Sequence, residues 1–190
     1  LALGALDLLP DLIPLGTLDT LLLRPIGVLI QVAATEVALR RIGKLGQSLA
    51  ILLLALVSLQ VAWTPAKLGV LGMTVVTGPL LFGSIWVACM AHVFWTVDTG
   101  EAANAFYYGG NLFVQYPIDL FGRWLRDFLA FVLPLAFVSY VPALFILDKP
   151  DPLGLPWFAP LLTPLVAVVA ASMASLVWRA GLRQYQGTGS

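Results

Sequence analysis

The sequence predicts an all-α integral membrane protein, a polytopic helical bundle with four transmembrane helices within these 190 residues. Three observations lead there. Apolar residues form 60% of the chain and charged residues 11%, where soluble domains carry about 45–50% and about 25%. The mean hydropathy is +0.95. A helix crossing roughly 30 Å of hydrocarbon takes about 20 apolar residues. Four uncharged runs reach that length: Leu45–Ala66 (22 residues), Leu68–Val97 (30), Phe128–Leu147 (20) and Pro152–Trp178 (27). The spans are accordingly placed at about 45–63, 68–92, 125–147 and 157–178, within a single transmembrane domain covering residues 1–190.

The same counts exclude other classes. Ten basic residues balance ten acidic ones, so no basic field exists to hold nucleic acid. A single cysteine, Cys89, rules out an internal disulfide framework. The chain opens on Leu1 with no initiator Met and no basic signal-peptide region, which leads us to expect residues upstream.

Taken in order, residues 1–44 read as an amphipathic segment that does not span. Asp7, Pro10, Asp11, Pro14, Gly16 and Asp19 interrupt its apolar pattern every few residues. Within it, Asp19 and Arg24 bracket Leu21, Leu22 and Leu23, and Pro25 ends the turn. Such an element can plug a greasy knob into a groove of another protein while its arginine meets a carboxylate. It is equally read as an N-cap at Asp19 followed by a Pro-initiated helix, which needs no partner. From Ile26 to Arg41 a helical stretch carries Gln31 and Thr35 four residues apart, and Glu36 at the same spacing from Arg40. It fits a helix parked at the lipid interface or an elbow that passes force to a partner.

Spans one and two are joined by Trp63-Thr64-Pro65-Ala66-Lys67, and spans three and four by the Pro-rich stretch Asp148–Pro156. Both are short turns on one side. The other side carries the first 44 residues, the long connection after span two and the tail 179–190. A fifth uncharged run, Ala102–Ile118 (17 residues), contains Asn104, Gly109, Gly110, Asn111, Gln115 and Pro117 and reads as a loop with interfacial helix pieces. The cytoplasmic side of a membrane protein is enriched in Lys and Arg. Lys67 and Lys149 lie on the Pro-turn side, against Arg24, Arg40, Arg41, Lys44, Arg123, Arg126, Arg179 and Arg183 opposite. That predicts a cytoplasmic amphipathic segment, cytoplasmic long connections and a cytoplasmic C-terminus. All tryptophans except Trp86 fall near span ends, as an aromatic belt requires.

Cys89 and His92 share a helical face, but a metal site needs three or four ligands and the chain has no other His or Cys. Within the four uncharged runs His92 is also the one side chain that readily takes a charge, which argues against a proton-coupled carrier. It is accompanied by no nucleophile elbow and no paired carboxylates, so we expect no enzyme and no catalytic, cofactor or metal residues on this chain. In the last span Ala167, Ala171 and Ser175 repeat at four, with Ala170 and Ala174 alongside, a stripe that lets another helix approach closely. It serves packing within this chain or a face toward a second subunit. Pro79, Pro134 and Pro142 lie inside spans as kink sites.

Several of these segments together carry a resemblance. Gly16-x-Leu18-Asp19-x-x-Leu22-Leu23-Arg24-Pro25, then Tyr116-Pro117, then Pro134-x-x-Phe137-Val138-x-Tyr140-x-Pro142-Ala143, and the ending Trp178-Arg179-x-Gly181-Leu182-x-x-Tyr185-x-Gly187-x-Gly189-Ser190 follow one another in order. This series resembles the type-2 permease subunits of ATP-binding-cassette (ABC) exporters, in the six-span branch related to antibiotic and viologen export permeases. The resemblance implies about six spans in the full protein, two of them before Leu1. It implies that residues 1–25 match the cytoplasmic loop that docks on an ATPase, with Asp19, Leu22, Leu23, Arg24 and Pro25 as coupling residues. It further implies a second permease subunit, as a homo- or heterodimer, in a bacterial cytoplasmic membrane. The chain has no Gly-x-x-x-x-Gly-Lys-Ser/Thr phosphate cradle, so ATP and Mg are expected on a partner subunit. The competing readings are a non-transporting membrane scaffold and, further off, a membrane-embedded enzyme.

Overall fold

The computed structural model describes residues 17–34, 39–59, 61–95, 109, 115–116, 120 and 122–184. The expectations for residues 1–16, for most of the 102–118 loop and for the tail beyond 184 lie outside the described residues. Among those described, the regular structure is helical throughout, without a strand. The chain divides into two compact units, Leu1–Ala62 with Gln186–Ser190, and Trp63–Tyr185.

The first unit holds α1 (Thr17–Leu22), α2 (Val28–Ala34) and α3 (Leu39–Ser58). The expected 26–41 helix therefore begins two residues late, after Pro25 and Gly27. Val28 and Val32, four apart, are buried. In α3, Arg40, Arg41 and Lys44 fall in the first two turns, and the apolar part is Leu45–Ser58. Fourteen residues rise only about 21 Å, short of a bilayer core. The helix stops at Ser58 and residues 61–64 are non-helical; the last of them, Thr64, is extended, as the residue before a proline is pushed to be.

The second unit holds the two helices long and apolar enough to cross a membrane. The first is α4 (Pro65–Ala91), continued by a 3₁₀ turn at His92–Phe94. Its start has a clear cause: Thr64 is extended and its hydroxyl accepts from the Lys67 amide at 3.3 Å, while Pro65 takes the first turn, where no N–H is needed. Thr74, Thr77 and Ser84 donate their hydroxyls to the carbonyls four residues back, so no polar side chain among them is stranded in an apolar setting. The second membrane-length helix is the 3₁₀ turn Ala159–Leu162 running into α7 (Thr163–Gln184), 26 residues together.

Between them the run expected as one span, 125–147, is a broken helix. α5 (Arg123–Asp127) passes into a π turn at Phe128–Val132, the chain breaks, a 3₁₀ turn covers Leu135–Phe137, and α6 (Tyr140–Ile146) follows. Two prolines explain this. Pro134 can neither donate to Ala130 nor clear its carbonyl, and it pushes Leu133 out of helical geometry. The Leu133 amide instead reaches back five residues to Phe128 O at 3.2 Å. Pro142 is the third residue of α6, so its missing N–H falls where a helix start has no partner anyway. The four-span pattern thus appears as two continuous membrane-length helices, one shorter apolar helix and one interrupted segment.

α4 packs against α7, and the two run the same way. Phe94, past the end of α4, stacks edge-on against Trp178 near the end of α7, with centroids 5.2 Å apart. Lys67, near the start of α4, pairs with Asp148 in the turn leading toward α7. Leu81, Leu129, Ala130, Leu135, Ala136, Phe137, Val141, Ala159 and Ala167 form the core between these elements.

Candidate coupling and transport elements

In the first unit, α1 is followed by a turn at residues 23–26 that carries Leu23, Arg24 and Pro25, three of the residues expected from the sequence to dock on an ATPase. Asp19 lies in α1. Leu22 is exposed, Leu23 is 86% exposed, and Arg24 and Pro25 are exposed beside them. An apolar knob thus stands exposed next to a cation. The turn is held from behind. Gln31 of α2 donates from Nε2 to Leu21 O at 2.9 Å and to Ile26 O at 2.5 Å. One side-chain amide thereby takes an orphan carbonyl at the end of α1 and a second carbonyl on the far side of the turn. Sequence reading placed Gln31 only in a polar stripe. The clue available was a lone amide within the apolar stretch Val28–Ala34.

In the second unit the break in the third segment lies against the middle of α4. The Val138 carbonyl occupies the space where a Cβ on Gly78 would sit, 2.8 Å from that position. Gly78 is thus required for backbone to approach backbone here. Leu135, Ala136 and Phe137 are buried, as irregular backbone must be at membrane depth unless it lines water.

At the Pro-turn end, Lys67 Nζ meets Asp148 Oδ2 at 2.5 Å, with the lysine side chain 8% exposed and the aspartate 71%. Asp148 adopts a left-handed conformation, φ 53°, closing α6. Its amide bonds Phe145 O at 3.5 Å and the Lys149 amide bonds Leu144 O at 3.0 Å, the paired pattern of a Schellman ending in which glycine is the usual residue. Asp151 then ties the following loop, its two carboxylate oxygens accepting from the amides of Leu153 at 2.9 Å and Leu155 at 2.8 Å.

The small-residue stripe of α7 divides. Ala167 is wholly buried, Ala171 is half-buried and Ser175 is exposed, its hydroxyl donated to Ser172 O at 2.7 Å. The buried line instead runs Thr163, Ala167, Ala174, Trp178 and Gly181. A straight four-residue repeat drifts off a helix face that turns every 3.6 residues, and mixed steps of three and four hold it. At the far end of this line a Cβ on Gly181 would lie 2.6 Å from the Phe94 ring. Trp178 accordingly belongs to the core, while Trp63, Trp95, Trp124 and Trp157 are exposed. Cys89 and His92 stand near the end of α4, and no group of three metal-ligating side chains occurs among the described residues.

The described residues thus form two helices long and apolar enough to cross a membrane, with a proline-broken segment between them. Comparison with protein families matches residues 2–189 to the ABC-2 family transporter proteins. The chain belongs to that family and is a membrane protein, the membrane component of a transporter. Comparison with curated proteins and with solved structures gave no match.

Proposed function

We propose that this chain is the permease subunit of an ATP-driven exporter, moving a lipophilic or drug-like substrate across a bacterial cytoplasmic membrane. The observation that carries this reading is the family match over nearly the whole chain. Family members work with an ABC ATPase subunit, and a chain without a phosphate cradle needs one. In this reading Asp19, Leu22, Leu23, Arg24 and Pro25 dock on that ATPase, and a second permease copy or homologue completes the pathway.

In this reading there are four spans, with α3 as the first, its 20 residues rising about 30 Å with the basic first turns at the interface, and the interrupted 123–146 segment as the third. The basic residues supply the orientation: eight lie on the side of the long connections and two on the Pro-turn side. Unwound helices in transporters occur where moving parts and cargo meet, and the break at Leu133–Ser139, buried at Leu135–Phe137, supports a mobile element in the membrane.

Arg24→Glu tests the docking step. Reversing one partner of a partly desolvated charge contact costs about 2–5 kcal/mol, and a loss of about 3 kcal/mol weakens binding more than a hundredfold. The variant should insert at wild-type abundance and lose both ATPase co-purification and export. Wild-type ATPase retention and export would leave α1 and its turn as an interfacial element.

A further inference from the structure

We infer that the Pro-turn end of the second unit holds a binding site for an anionic phospholipid, with Lys149 meeting the phosphate. The inference rests on the membrane reading above. An open cleft of about 270 Å³ lies between the last turn of α6 and the loop before α7. Leu144, Phe145 and Leu155 form its apolar walls, Trp157 stands at its edge, and Lys149 and Asp151 are its charged residues.

The charges of this end are already apportioned, with one exception. Asp148 is taken by Lys67. The Asp151 carboxylate is taken by two backbone amides. Lys149 is exposed and makes no ion pair among the described residues. The left-handed turn at Asp148 produces this separation, since it sends adjacent residues of opposite charge to different neighbours. The cleft therefore offers one exposed cation free of an ion pair among the described residues, beside apolar side chains, while its carboxylate, Asp151, keeps its charge but turns its two oxygens onto backbone amides. That suits an amphiphile with an anionic head.

Position and size select a bilayer lipid. The cleft borders the start of the membrane-length helix Ala159–Gln184, and Trp157, 79% exposed, is suited to headgroup depth. Enclosed pockets for whole small molecules run from about 300 to 1,000 Å³. This smaller, open cleft fits a headgroup and the first part of a chain, with the remainder lying in the bilayer.

The full chain, purified in detergent, would be titrated with phosphatidylglycerol and with phosphatidylcholine of the same acyl chains, bound lipid being counted by native mass spectrometry. Phosphatidylglycerol should be retained over phosphatidylcholine. Lys149→Gln should weaken its retention about fivefold and Lys149→Glu more, from the contribution of one basic side chain to anionic-lipid attraction. Trp157→Ala should weaken both lipids. Equal retention of phosphatidylglycerol by wild type and Lys149→Glu, or equal retention of the two lipids by wild type, overturns the site. Displacement by glycerol phosphate as effective as by lipid also overturns it, since the ligand would then be a free phosphate. A chain that fails to float with vesicles removes the membrane reading itself. A chain that floats without distinguishing the lipids removes this site alone.

Discussion

Replacing Gly78 with alanine places a methyl group 2.8 Å from the Val138 carbonyl oxygen. Ordinary contact begins near 3.4 Å, so one backbone must retreat by several tenths of an ångström. Neither can do so cheaply: Gly78 lies in the interior of a 27-residue helix, and Val138 is held by its amide to Leu135 O at 3.1 Å. Overpacking of this kind costs about 1–3 kcal/mol. Against it stands the gain of about 0.4–1 kcal/mol that alanine brings over glycine where the conformation suits it. Gly72 measures that gain alone, since it lies in the same helix and a Cβ there meets nothing within 4 Å. Gly72→Ala should raise the thermal midpoint of the purified protein. Gly78→Ala should fall below it by the clash energy, which at roughly 2–4 °C per kcal/mol for a chain of this size separates the two by roughly 2–12 °C. Midpoints that coincide, or a Gly78→Ala protein that melts above Gly72→Ala, would refute the close approach of the broken segment to α4.

Further expectations concern the other described elements. Asp148→Ala removes the partner of Lys67 and also forces a Cβ-bearing residue with no polar compensation into left-handed geometry, whereas Asp148→Gly removes only the partner. Both should melt below wild type, and alanine below glycine by about 1 kcal/mol; equal midpoints would show that the turn geometry contributes nothing. Gln31→Leu breaks both hydrogen bonds behind the Leu23–Arg24 turn and should speed amide exchange at Arg24 while leaving exchange in α4 unchanged. In a Cys89→Ser background, Pro150→Cys should react with an impermeant thiol reagent on intact cells and Arg183→Cys should not; the reverse pattern would invert the proposed topology. Lys67→Cys should label poorly from either side, because that position is buried.

Legibility in the sequence followed the range of the forces concerned. The two long helices could be read because uncharged length is a local property, and the start of α4 because Thr64-Pro65 is a local signal. The grouping of Lys67 with the Asp148 turn at one end followed from connection lengths. The break at Pro134 was visible as a kink site, but its extent was not, since a single proline bends some helices and divides others. What decided it was Pro142 eight residues on, which can begin a helix but sits badly inside one, together with Gly78 some 60 residues earlier, which gives the freed carbonyl a place to lie. The buried line of α7 drifted from the expected repeat at Ser175 because four-residue spacing ignores the turn of the helix. Among the residues proposed to couple, Leu23 and Arg24 are exposed, whereas the amide of Gln31 acts across ten residues and announces itself in no motif.

The seat between Gly78 and Val138 has a mechanical consequence. Sheets and helices hold their neighbours by directed bonds or by interlocking side chains, and both resist displacement in steps. Here a single position of the helix without a side chain faces a carbonyl, and a Cα–H facing an oxygen contributes at most a weak, poorly directional attraction. Such a contact behaves as a bearing. It carries load perpendicular to the helix and adds little resistance along it, so the register of the broken segment on α4 rests on the side chains buried beside it, Leu81 against Leu135, Ala136 and Phe137.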